Sequence, residues 1–333
     1  MKLIDNNDIH DPTINLALEE YCVRNLDFSE EEYLLFYIND PSIIIGKHQN
    51  TIEEINKKYV DAHNIYVVRR ISGGGAVYHD RGNLNFSFLT KHSDDSINNF
   101  RKFTQPIVDT LKQIGVNAEL TGRNDITVEG RKVSGNAQFT NTKTMFSHGT
   151  ILFNSNLEDV VEALNVKLDK IESKGIKSVR SRVANISEFL KEPMTIYDLK
   201  QKIIENIFIN YNNIPVLKLN DEQWNEIYKL AEAKYRNWEW NYGRSPEFNL
   251  QRVHRFPFGQ IDVRVNVKEG TIKELKIYGD YLAFGDSDDL EEILIDTKFD
   301  YEHIYSKLKD INLSDYFGDI SVEEFSDWLV RGK

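Results

Sequence analysis

The stretch that says most about this chain is RRISGGGAVYHD, residues 69–80. It follows the apolar run 65–68, which is typical of a buried strand, so two arginines and three consecutive glycines come directly after a strand end. Glycine reaches backbone conformations that other residues rarely adopt and lets a ligand approach the main chain closely. The N–H groups of such a turn can surround an anion, and an adjacent arginine adds a fixed positive charge. The stretch therefore predicts a phosphate or acyl-phosphate site.

The common phosphate-binding patterns do not account for this stretch. No Gly-Lys-Ser/Thr follows the glycines, so it is not a P-loop, and no Gly-x-Gly-x-x-Gly opens a helix, so it is not a dinucleotide fingerprint. A flexible hairpin turn is the structural alternative, and the three glycines alone do not exclude it.

The composition is that of an ordinary globular protein, with 333 residues, 40% of them hydrophobic and 28% charged. This length predicts about two domains. No apolar run approaches the length of a membrane span, and residues 1–11 lack the apolar core of a signal peptide. A single cysteine excludes a disulfide framework and fits a reducing compartment. We therefore expect a cytoplasmic protein with no membrane partner.

The charge is unevenly distributed over a chain whose net charge is -12. Residues 281–333 contain 14 acidic and 5 basic side chains, whereas residues 167–182 contain 6 basic and 2 acidic ones. An acidic surface argues against nucleic-acid binding. The basic segment indicates either a contact with a phosphate-bearing ligand or a solvated helix face.

The apolar periodicity predicts a mixture of helices and strands. Asp11-Pro12-Thr13 has the residues of a helix start, and the apolar spacing after it predicts the first helix. Alternation over residues 261–267, followed by Gly270 and renewed alternation, predicts a hairpin. The aromatic-rich segment 238–246 is typical of a connection, so we expect a domain boundary near residue 247. The same criteria predict strands at residues 34–38, 43–45, 65–68, 84–88, 126–128 and 150–153, and helices at residues 100–114, 157–164, 197–211 and 224–233.

A series of motifs, in order along nearly the whole chain, resembles lipoate–protein ligase A of the biotin/lipoate protein ligase superfamily. The motifs are residues 70–80 with Gly82-Asn83 and Phe86-Ser87-Phe88, then residues 122–125, 131–135, 148–150, 174–183 and 238–241. Several motifs in one order are more specific than any one of them. Asn136 departs from the pattern, because a small hydroxyl residue is common there.

The resemblance implies an α+β fold with two domains. Residues 1–246 would form a large catalytic domain of mixed β-sheets flanked by helices, similar to class II synthetases and biotin ligases. Residues 247–333 would form a small α+β accessory domain that rotates against the large one between reaction steps.

The resemblance also implies the reaction. Lipoate and ATP with Mg²⁺ would give lipoyl-AMP and pyrophosphate, and an acceptor lysine would then take the lipoyl group and release AMP. The acceptors would be lipoyl domains of 2-oxoacid dehydrogenase complexes and the glycine-cleavage H protein. The enzyme would need no covalent intermediate.

Site residues follow from the matching motif positions. Lys132 would be catalytic and would contact both the lipoyl carbonyl and the adenylate phosphate, although lysines are mostly ordinary surface residues. The ATP-binding positions would be Arg70, Gly75, Ala76, Val77, Tyr78 and Lys132. The lipoate-binding positions would be Lys132, Gly73, Gly74 and His79. Further adenylate contacts would come from His148, Lys174, Arg180 and Arg182, and the Mg²⁺ ligand would be Asp125, beside Asn124.

Three other functions stay open at this point. A lipoyl or octanoyl transferase would use a cysteine thioester, and Cys22, the only cysteine, lies in the predicted first helix where a structural thiol is expected. A biotin–protein ligase would carry a Gly-Arg-Gly-Arg-x-Gly loop where this chain has residues 70–73. A non-catalytic protein that sequesters lipoylated domains would be expected to lack Arg70 or Lys132, and both are present.

Overall fold

The computed structural model describes residues 1–93, 95–164, 182–242, 249–268 and 270–332. These residues form two compact units. Unit 1 comprises Met1–Ile45, Ile52–Arg69 and Ala76–Asn241, and unit 2 comprises Gly46–Thr51, Arg70–Gly75 and Tyr242–Lys333. Two short segments of the N-terminal part, one of them carrying the triple glycine, therefore belong to the same unit as the C-terminal part.

Unit 1 combines two β-sheets with short and medium helices. Its strands are β1 (Lys2–Ile4), β2 (Tyr33–Tyr37), β3 (Ser42–Ile45), β4 (Tyr66–Arg69), β5 (Val77–His79), β6 (Asn83–Lys91), β7 (Ala118–Thr121), β8 (Asp125–Val128), β9 (Arg131–Thr140), β10 (Thr144–Leu152) and β11 (Val216–Leu217). Its helices are α1 (Pro12–Asn25), α2 (Thr51–Glu54), α3 (Lys57–Ala62), α4 (Phe100–Gln113), α5 (Leu157–Ala163), α6 (Ile196–Ile207), α7 (Asp221–Leu230) and α8 (Trp238–Asn241). A 3₁₀ turn covers Ile186–Phe189, and a π-helical turn at Ala231–Tyr235 follows α7.

The larger sheet of unit 1 has, among the described residues, eight strands in the order β11-β1-β2-β6-β10-β9-β8-β7. The pairs of β1 with β2 and β11 are parallel, and the other pairs are antiparallel. Helices α4 and α6 bury apolar side chains such as Ile107, Leu111 and Ile203 against this sheet. Burial of such side chains stabilises the unit by roughly 1.5–3 kcal/mol each.

Helix α1 starts as its sequence predicts and buries the carboxylates of Glu19 and Glu20. The Asp11 carboxylate caps it by accepting a hydrogen bond from the Thr13 N–H at 2.8 Å. Glu20 is buried on the same helix, where it accepts hydrogen bonds from the Lys234 ammonium at 2.8 Å and the Tyr235 hydroxyl at 2.6 Å. Burial alone would raise the pKa of the Glu20 carboxyl, but Lys234, Tyr235 and Arg24 lower it below its ordinary value. Glu20 thus connects α1 to the π-helical turn.

Unit 2 contains a small antiparallel sheet covered by helices. Strands β12 (Leu250–Phe256), β13 (Gly259–Lys268) and β14 (Thr271–Gly279) pair in that order. Helices α9 (Ser287–Leu294), α10 (Tyr301–Leu308) and α11 (Val322–Arg331) follow, and their apolar faces join those of the strands in one core. The predicted β13–β14 hairpin is confirmed, whereas β12 was not predicted. Within the described ranges, every helix is too short or too polar to span a bilayer.

The structure excludes the hairpin alternative for the glycine-rich stretch and adds a short helix to the aromatic segment. Strands β4 and β5 lie on opposite sides of β3 and do not pair with each other, so the glycine-rich connection between them is not a hairpin turn. The segment predicted as a connection begins with a short helix, Trp238–Asn241, whose Trp240 and Asn241 side chains donate hydrogen bonds to the carbonyls of Arg69 and Tyr235. Residues 243–248 lie outside the described residues.

Candidate active site

A tight hairpin places Lys132 at the start of a strand. Glu129 and Gly130 connect β8 to β9, and both have positive φ, at 51° and 74°. Two consecutive positive φ values are typical of the two-residue turns whose twist matches that of the adjoining strands. The β8–β9 register shifts between Ile126 and Thr127, so Lys132 faces Thr127 and Gly135 faces Asp125. This irregularity fixes where the Lys132 side chain leaves the sheet.

Lys132 is the predicted catalytic residue, and its ammonium forms an ion pair within unit 1. The Nζ atom lies 2.8 Å from Asp125 Oδ1, and the side chains are 40% and 32% exposed. The aliphatic stem of Lys132 passes over Gly135, where a Cβ atom would lie 2.9 Å from Nζ. The ammonium is thus held at a defined place while remaining accessible to a ligand.

The backbone of Lys132 is bonded to the chain around residue 183. The Lys132 N–H donates to the Arg182 carbonyl at 2.6 Å, and the Ala184 N–H donates to the Lys132 carbonyl at 3.0 Å. Lys132 and Val183 therefore form a parallel bridge. The predicted adenylate contact Arg182 thus lies beside Lys132. The other two predicted residues of that segment, Lys174 and Arg180, lie outside the described residues.

His148 lies on β10, the strand next to β9, and is buried against a carboxylate. Its Nδ1 atom lies 3.0 Å from Glu19 Oε1 on α1, and its ring packs on Phe146 with centroids 4.7 Å apart. Histidine opposite a carboxylate carries the proton on the nitrogen that faces the carboxylate. Sequence reasoning missed Glu19, because an acidic residue in an amphipathic helix gives no local sign that it faces the interior.

Tyr78 and His79 lie on β5, and each is held by a side chain that sequence reasoning missed. The Tyr78 hydroxyl donates to Asp159 Oδ2 on α5 at 3.2 Å, and burial together with that carboxylate raises the Tyr78 pKa. The His79 Nδ1 atom lies 3.0 Å from the Asn39 amide nitrogen, and Asn39 also accepts a hydrogen bond from Asn15. These partners are 40 to 81 residues away in sequence, so no local pattern could have found them.

The glycine-rich stretch 70–75 belongs to unit 2, where contacts with its own carbonyls hold its shape. The Arg70 guanidinium donates to the carbonyls of Gly73 at 2.6 Å and Gly75 at 2.9 Å, and to the Ser72 hydroxyl at 3.0 Å. Gly74 has a φ of 91°, a value that favours glycine, and its N–H donates to the Tyr281 carbonyl at 3.3 Å. Arg70 supports the loop backbone through these bonds, and its expected contact with phosphate stays a prediction.

Arg69, which precedes this stretch, belongs to unit 1 and is bonded to the aromatic motif at residues 238–241. Its backbone N–H donates to the Asn241 side chain at 2.9 Å, its Nε donates to the Trp240 carbonyl at 2.9 Å, and the Trp240 indole donates back to the Arg69 carbonyl at 2.8 Å. The motif therefore fixes the end of β4. The two adjacent arginines are visible in the sequence, but the sequence does not show that Arg69 bonds to the aromatic motif and Arg70 to its own loop.

Cys22 has none of the properties of a nucleophile. It is fully buried within α1, and burial, with a further contribution from the charge of Glu19, raises the pKa of its thiol. A reactive cysteine needs its thiolate form and access to solvent. The structural role expected for this thiol fits its surroundings.

Comparisons with known proteins agree with this arrangement. The model of the lipoyl protein ligase A/B catalytic domain matches residues 11–208, and that of the bacterial lipoate protein ligase C-terminus matches residues 245–329. Lipoate-protein ligase LplJ of Bacillus subtilis (strain 168) is 56% identical over 332 residues, covering 99% of this chain and 100% of LplJ. The structure of P. falciparum LipL1 in complex with lipoate has a TM-score of 0.82 and 29% identity over 99% of both chains. A lipoate-protein ligase A bound with ATP has a TM-score of 0.63 and 27% identity over 73% of this chain and 98% of that one.

The match to the lipoyl protein ligase A/B catalytic domain, over more than half of the chain, defines the class of this protein as a ligase of that kind. The chain belongs to the lipoate–protein ligase family, as its full-length similarity to LplJ shows. The predicted family and fold class are therefore confirmed, and the transferase alternative is not favoured.

Proposed function

We propose that this ligase activates lipoate with ATP and transfers the lipoyl group to a lysine of an acceptor protein. The observation that carries the proposal is the Lys132 ammonium, fixed on β9 inside the region that matches the catalytic-domain family. Lipoate in the LipL1 structure and ATP in the lipoate-protein ligase A structure support the two substrates.

Activation joins the lipoate carboxylate to the α-phosphorus of ATP. A carboxylate oxygen forms the new P–O bond, and the bond from the α-phosphorus to the bridging oxygen of pyrophosphate breaks. Two anionic groups must approach each other in this step, and negative charge accumulates around phosphorus. An ammonium held in place, such as that of Lys132, attracts both reactants and stabilises the transition state.

Transfer then moves the lipoyl group from AMP to the acceptor. The neutral lysine amine attacks the acyl carbon, the bond from that carbon to the phosphate oxygen of AMP breaks, and the amine loses a proton. No enzyme nucleophile takes part in either step, which agrees with the burial of Cys22. Lipoyl-domain proteins are the acceptor class, and we propose lipoyl domains of 2-oxoacid dehydrogenase complexes and the glycine-cleavage H protein as the particular acceptors. A cytoplasmic location stays a prediction.

The remaining site assignments are proposals of the same kind. We assign ATP binding to Arg70, Gly75, Ala76, Val77 and Tyr78 together with Lys132, lipoate binding to Gly73, Gly74, His79 and Lys132, and adenylate contacts to His148 and Arg182. We also propose residues 1–246 as the catalytic domain and residues 247–333 as the accessory domain. The two matched regions, residues 11–208 and 245–329, support this division.

Magnesium would enter with the nucleotide. Asp125 offers one carboxylate, and the described residues contain no group of three His, Cys, Asp or Glu side chains that could enclose a metal. This donor set fits Mg²⁺, which commonly takes one or two carboxylates and otherwise binds phosphate oxygens and water. Bound Mg²⁺ would neutralise phosphate charge.

Lipoate-dependent exchange of labelled pyrophosphate into ATP tests the proposed function. The expected result is exchange with lipoate, none with biotin, and loss of exchange in Lys132→Ala with an unchanged melting temperature. Exchange with biotin but not with lipoate would reverse the substrate assignment. Acyl transfer between proteins without any exchange would instead support the transferase alternative.

A further inference from the structure

Several side chains near Lys132 fix the position of its ammonium, although they are not needed for the activation chemistry itself. These residues lie at facing positions of β8 and β9, and they belong to unit 1. Because Gly135 directly faces Asp125 in the ladder, the space over Gly135 is open to the Lys132 side chain. A Cβ atom on residue 135 would lie 2.9 Å from Lys132 Nζ and 3.1 Å from Cε, so only glycine leaves this path free.

Asp125 fixes the end of that path. Its Oδ1 atom lies 2.8 Å from Lys132 Nζ, and both side chains are partly exposed. An ion pair with this exposure contributes little to folding stability, because water screens it and two side chains must be ordered. The pair does restrict a flexible lysine to one orientation, and such a restriction matters most for a residue that must meet a reacting phosphate.

The residue before Asp125 is itself fixed by a reciprocal amide pair. The Asn124 side-chain amide donates to the Asn136 carbonyl at 2.5 Å, and the Asn136 side-chain amide donates to the Asn124 carbonyl at 2.9 Å. The Asn136 N–H adds a third bond to the Asn124 carbonyl at 3.1 Å. Asn136 requires glycine on the next strand, since a Cβ atom at Gly149 would overlap its side-chain oxygen. Asn124, which directly precedes β8 and Asp125, is therefore bound to Asn136 through both its side-chain amide and its backbone carbonyl.

The main chain of Lys132 is also held, so the side chain is the part left to be oriented. Hydrogen bonds to the Arg182 carbonyl and from the Ala184 N–H fix the backbone of residue 132 from outside the hairpin. With the backbone fixed and Gly135 open, the remaining freedom of Lys132 is rotation about its side-chain bonds. Asp125 restricts that rotation.

We propose that Asp125 is a positioning residue for Lys132, and that Asn136 acts through Asn124 to keep Asp125 in place. The inference rests on the proposed function, in which the Lys132 ammonium meets the lipoate carboxylate and the α-phosphate. Asp125 holds the ammonium over Gly135 in the free enzyme and releases it to the phosphate when ATP binds. This role is separate from the proposed magnesium contact of Asp125, which would act on the metal rather than on the lysine.

Pyrophosphate exchange with the variants Asp125→Ala, Asp125→Asn and Asn136→Ala separates these roles. We expect Asp125→Ala to lower kcat for lipoyl-AMP formation by about 100-fold, the loss typical of a misplaced reacting group. The KM for ATP should change by a smaller factor than kcat, because the proposal places the main effect of Asp125 on the orientation of Lys132. Asp125→Asn, which keeps one acceptor oxygen, should recover part of kcat, and Asn136→Ala should lower kcat by about 10-fold.

The matched control is Asp61→Asn, because Asp61 forms a comparable exposed ion pair with Lys57 on α3, at 2.6 Å. This change should leave kcat and both KM values unaltered. An unchanged kcat in Asp125→Ala, together with a raised KM for ATP that extra Mg²⁺ restores, would leave Asp125 with the magnesium role alone and overturn the positioning proposal. Equal kcat values for Asp125→Ala and the unaltered enzyme would also overturn it. Melting temperatures check that each variant folds, and Asn136→Ser replaces Asn136→Ala if the latter does not.

Crystal structures of the ligand-free enzyme and of Asp125→Ala supply a readout that does not depend on activity. The proposal expects Lys132 Nζ beside Asp125 in the first and away from Gly135 in the second. The same Lys132 position in both would contradict it. If the unaltered enzyme shows no lipoate-dependent exchange, the proposed function fails, while the lysine positions still decide whether Asp125 orients Lys132.

Discussion

The Lys132 hairpin and the glycine-rich stretch 70–75 are both assigned to the same reaction, but different forces hold them. At the hairpin, side-chain charge determines the geometry, through the ion pair of Lys132 with Asp125. At the glycine-rich stretch, the backbone determines it, through carbonyls that accept hydrogen bonds from the Arg70 guanidinium and through Gly73, where there is no room for a Cβ atom. The first region should therefore be sensitive to loss of charge, and the second to added volume.

Loss of the Lys132 ammonium should have the largest effect. Lys132→Ala should reduce lipoyl-AMP formation by about 1,000-fold or more, because it removes the cation that faces the developing phosphate charge. Lys132→Arg should recover little, since a planar guanidinium does not replace a compact ammonium in this position. Single-turnover formation of lipoyl-AMP measures both effects. Rates near those of the unaltered enzyme, in folded protein, would remove Lys132 from the mechanism.

A buried charge elsewhere in unit 1 should govern stability in acid. Glu20→Gln leaves Lys234 without its carboxylate and should reduce the free energy of unfolding by about 3 kcal/mol at pH 7. Because the pKa of the Glu20 carboxyl is lowered in the folded state, its contribution is complete above its ordinary value near 4.5 and is lost as the pH falls through the lowered value. Urea titrations at several pH values should show a smaller loss in acid for the variant. If acid lowers the free energy of unfolding of Glu20→Gln and of the unaltered enzyme by the same amount, this account of Glu20 is contradicted.

Added volume in the glycine-rich stretch should act on unit 2. A Cβ atom on Gly73 would lie 2.5 Å from the Tyr281 carbonyl oxygen, a backbone atom, whereas one on Gly75 would meet nothing within 4 Å. Gly73→Ala should therefore lower the free energy of unfolding by about 1–3 kcal/mol. Gly75→Ala should change it by less than about 0.5 kcal/mol. Urea denaturation of the two variants side by side measures this difference. Equal decreases in the free energy of unfolding would show that the space available to a Cβ atom does not determine which substitutions this stretch accepts.

The smallest effect on activity is expected at Cys22. Cys22→Ala removes one buried sulfur and should lower the free energy of unfolding by about 1 kcal/mol while leaving acceptor lipoylation unchanged. A thioester mechanism predicts complete loss of transfer in the same variant. Transfer assays at equal concentrations of folded protein distinguish the two results.

The sequence predicts the elements of this fold better than their connections. The long strands and the amphipathic helices follow from apolar periodicity, since one face of each is buried. The three-stranded order β4-β3-β5 could not be predicted, because the pairing of β3 with strands from two later parts of the chain leaves no local pattern. Short strands such as β1 and β11 were missed for the same reason.

The candidate site divides in a similar way. Lys132, Arg70 and the glycines stand in motifs whose order along the chain is informative. Glu19, Asp159 and Asn39 occur in ordinary polar surroundings, and only folding brings them to His148, Tyr78 and His79. The contacts of Arg70 with the carbonyls of Gly73 and Gly75 depend on the path of the loop backbone, which the residue types do not specify.

Intact-mass analysis of a lipoyl-domain acceptor tests the central claim most directly. The acceptor is incubated with the enzyme, ATP, Mg²⁺ and lipoate, and with each small molecule omitted in turn. The account predicts that the acceptor gains the mass of one lipoyl group only when enzyme, ATP and lipoate are all present, and that replacing its target lysine prevents the gain. An acceptor whose mass stays unchanged in the complete mixture, or increases equally without ATP, would contradict the account.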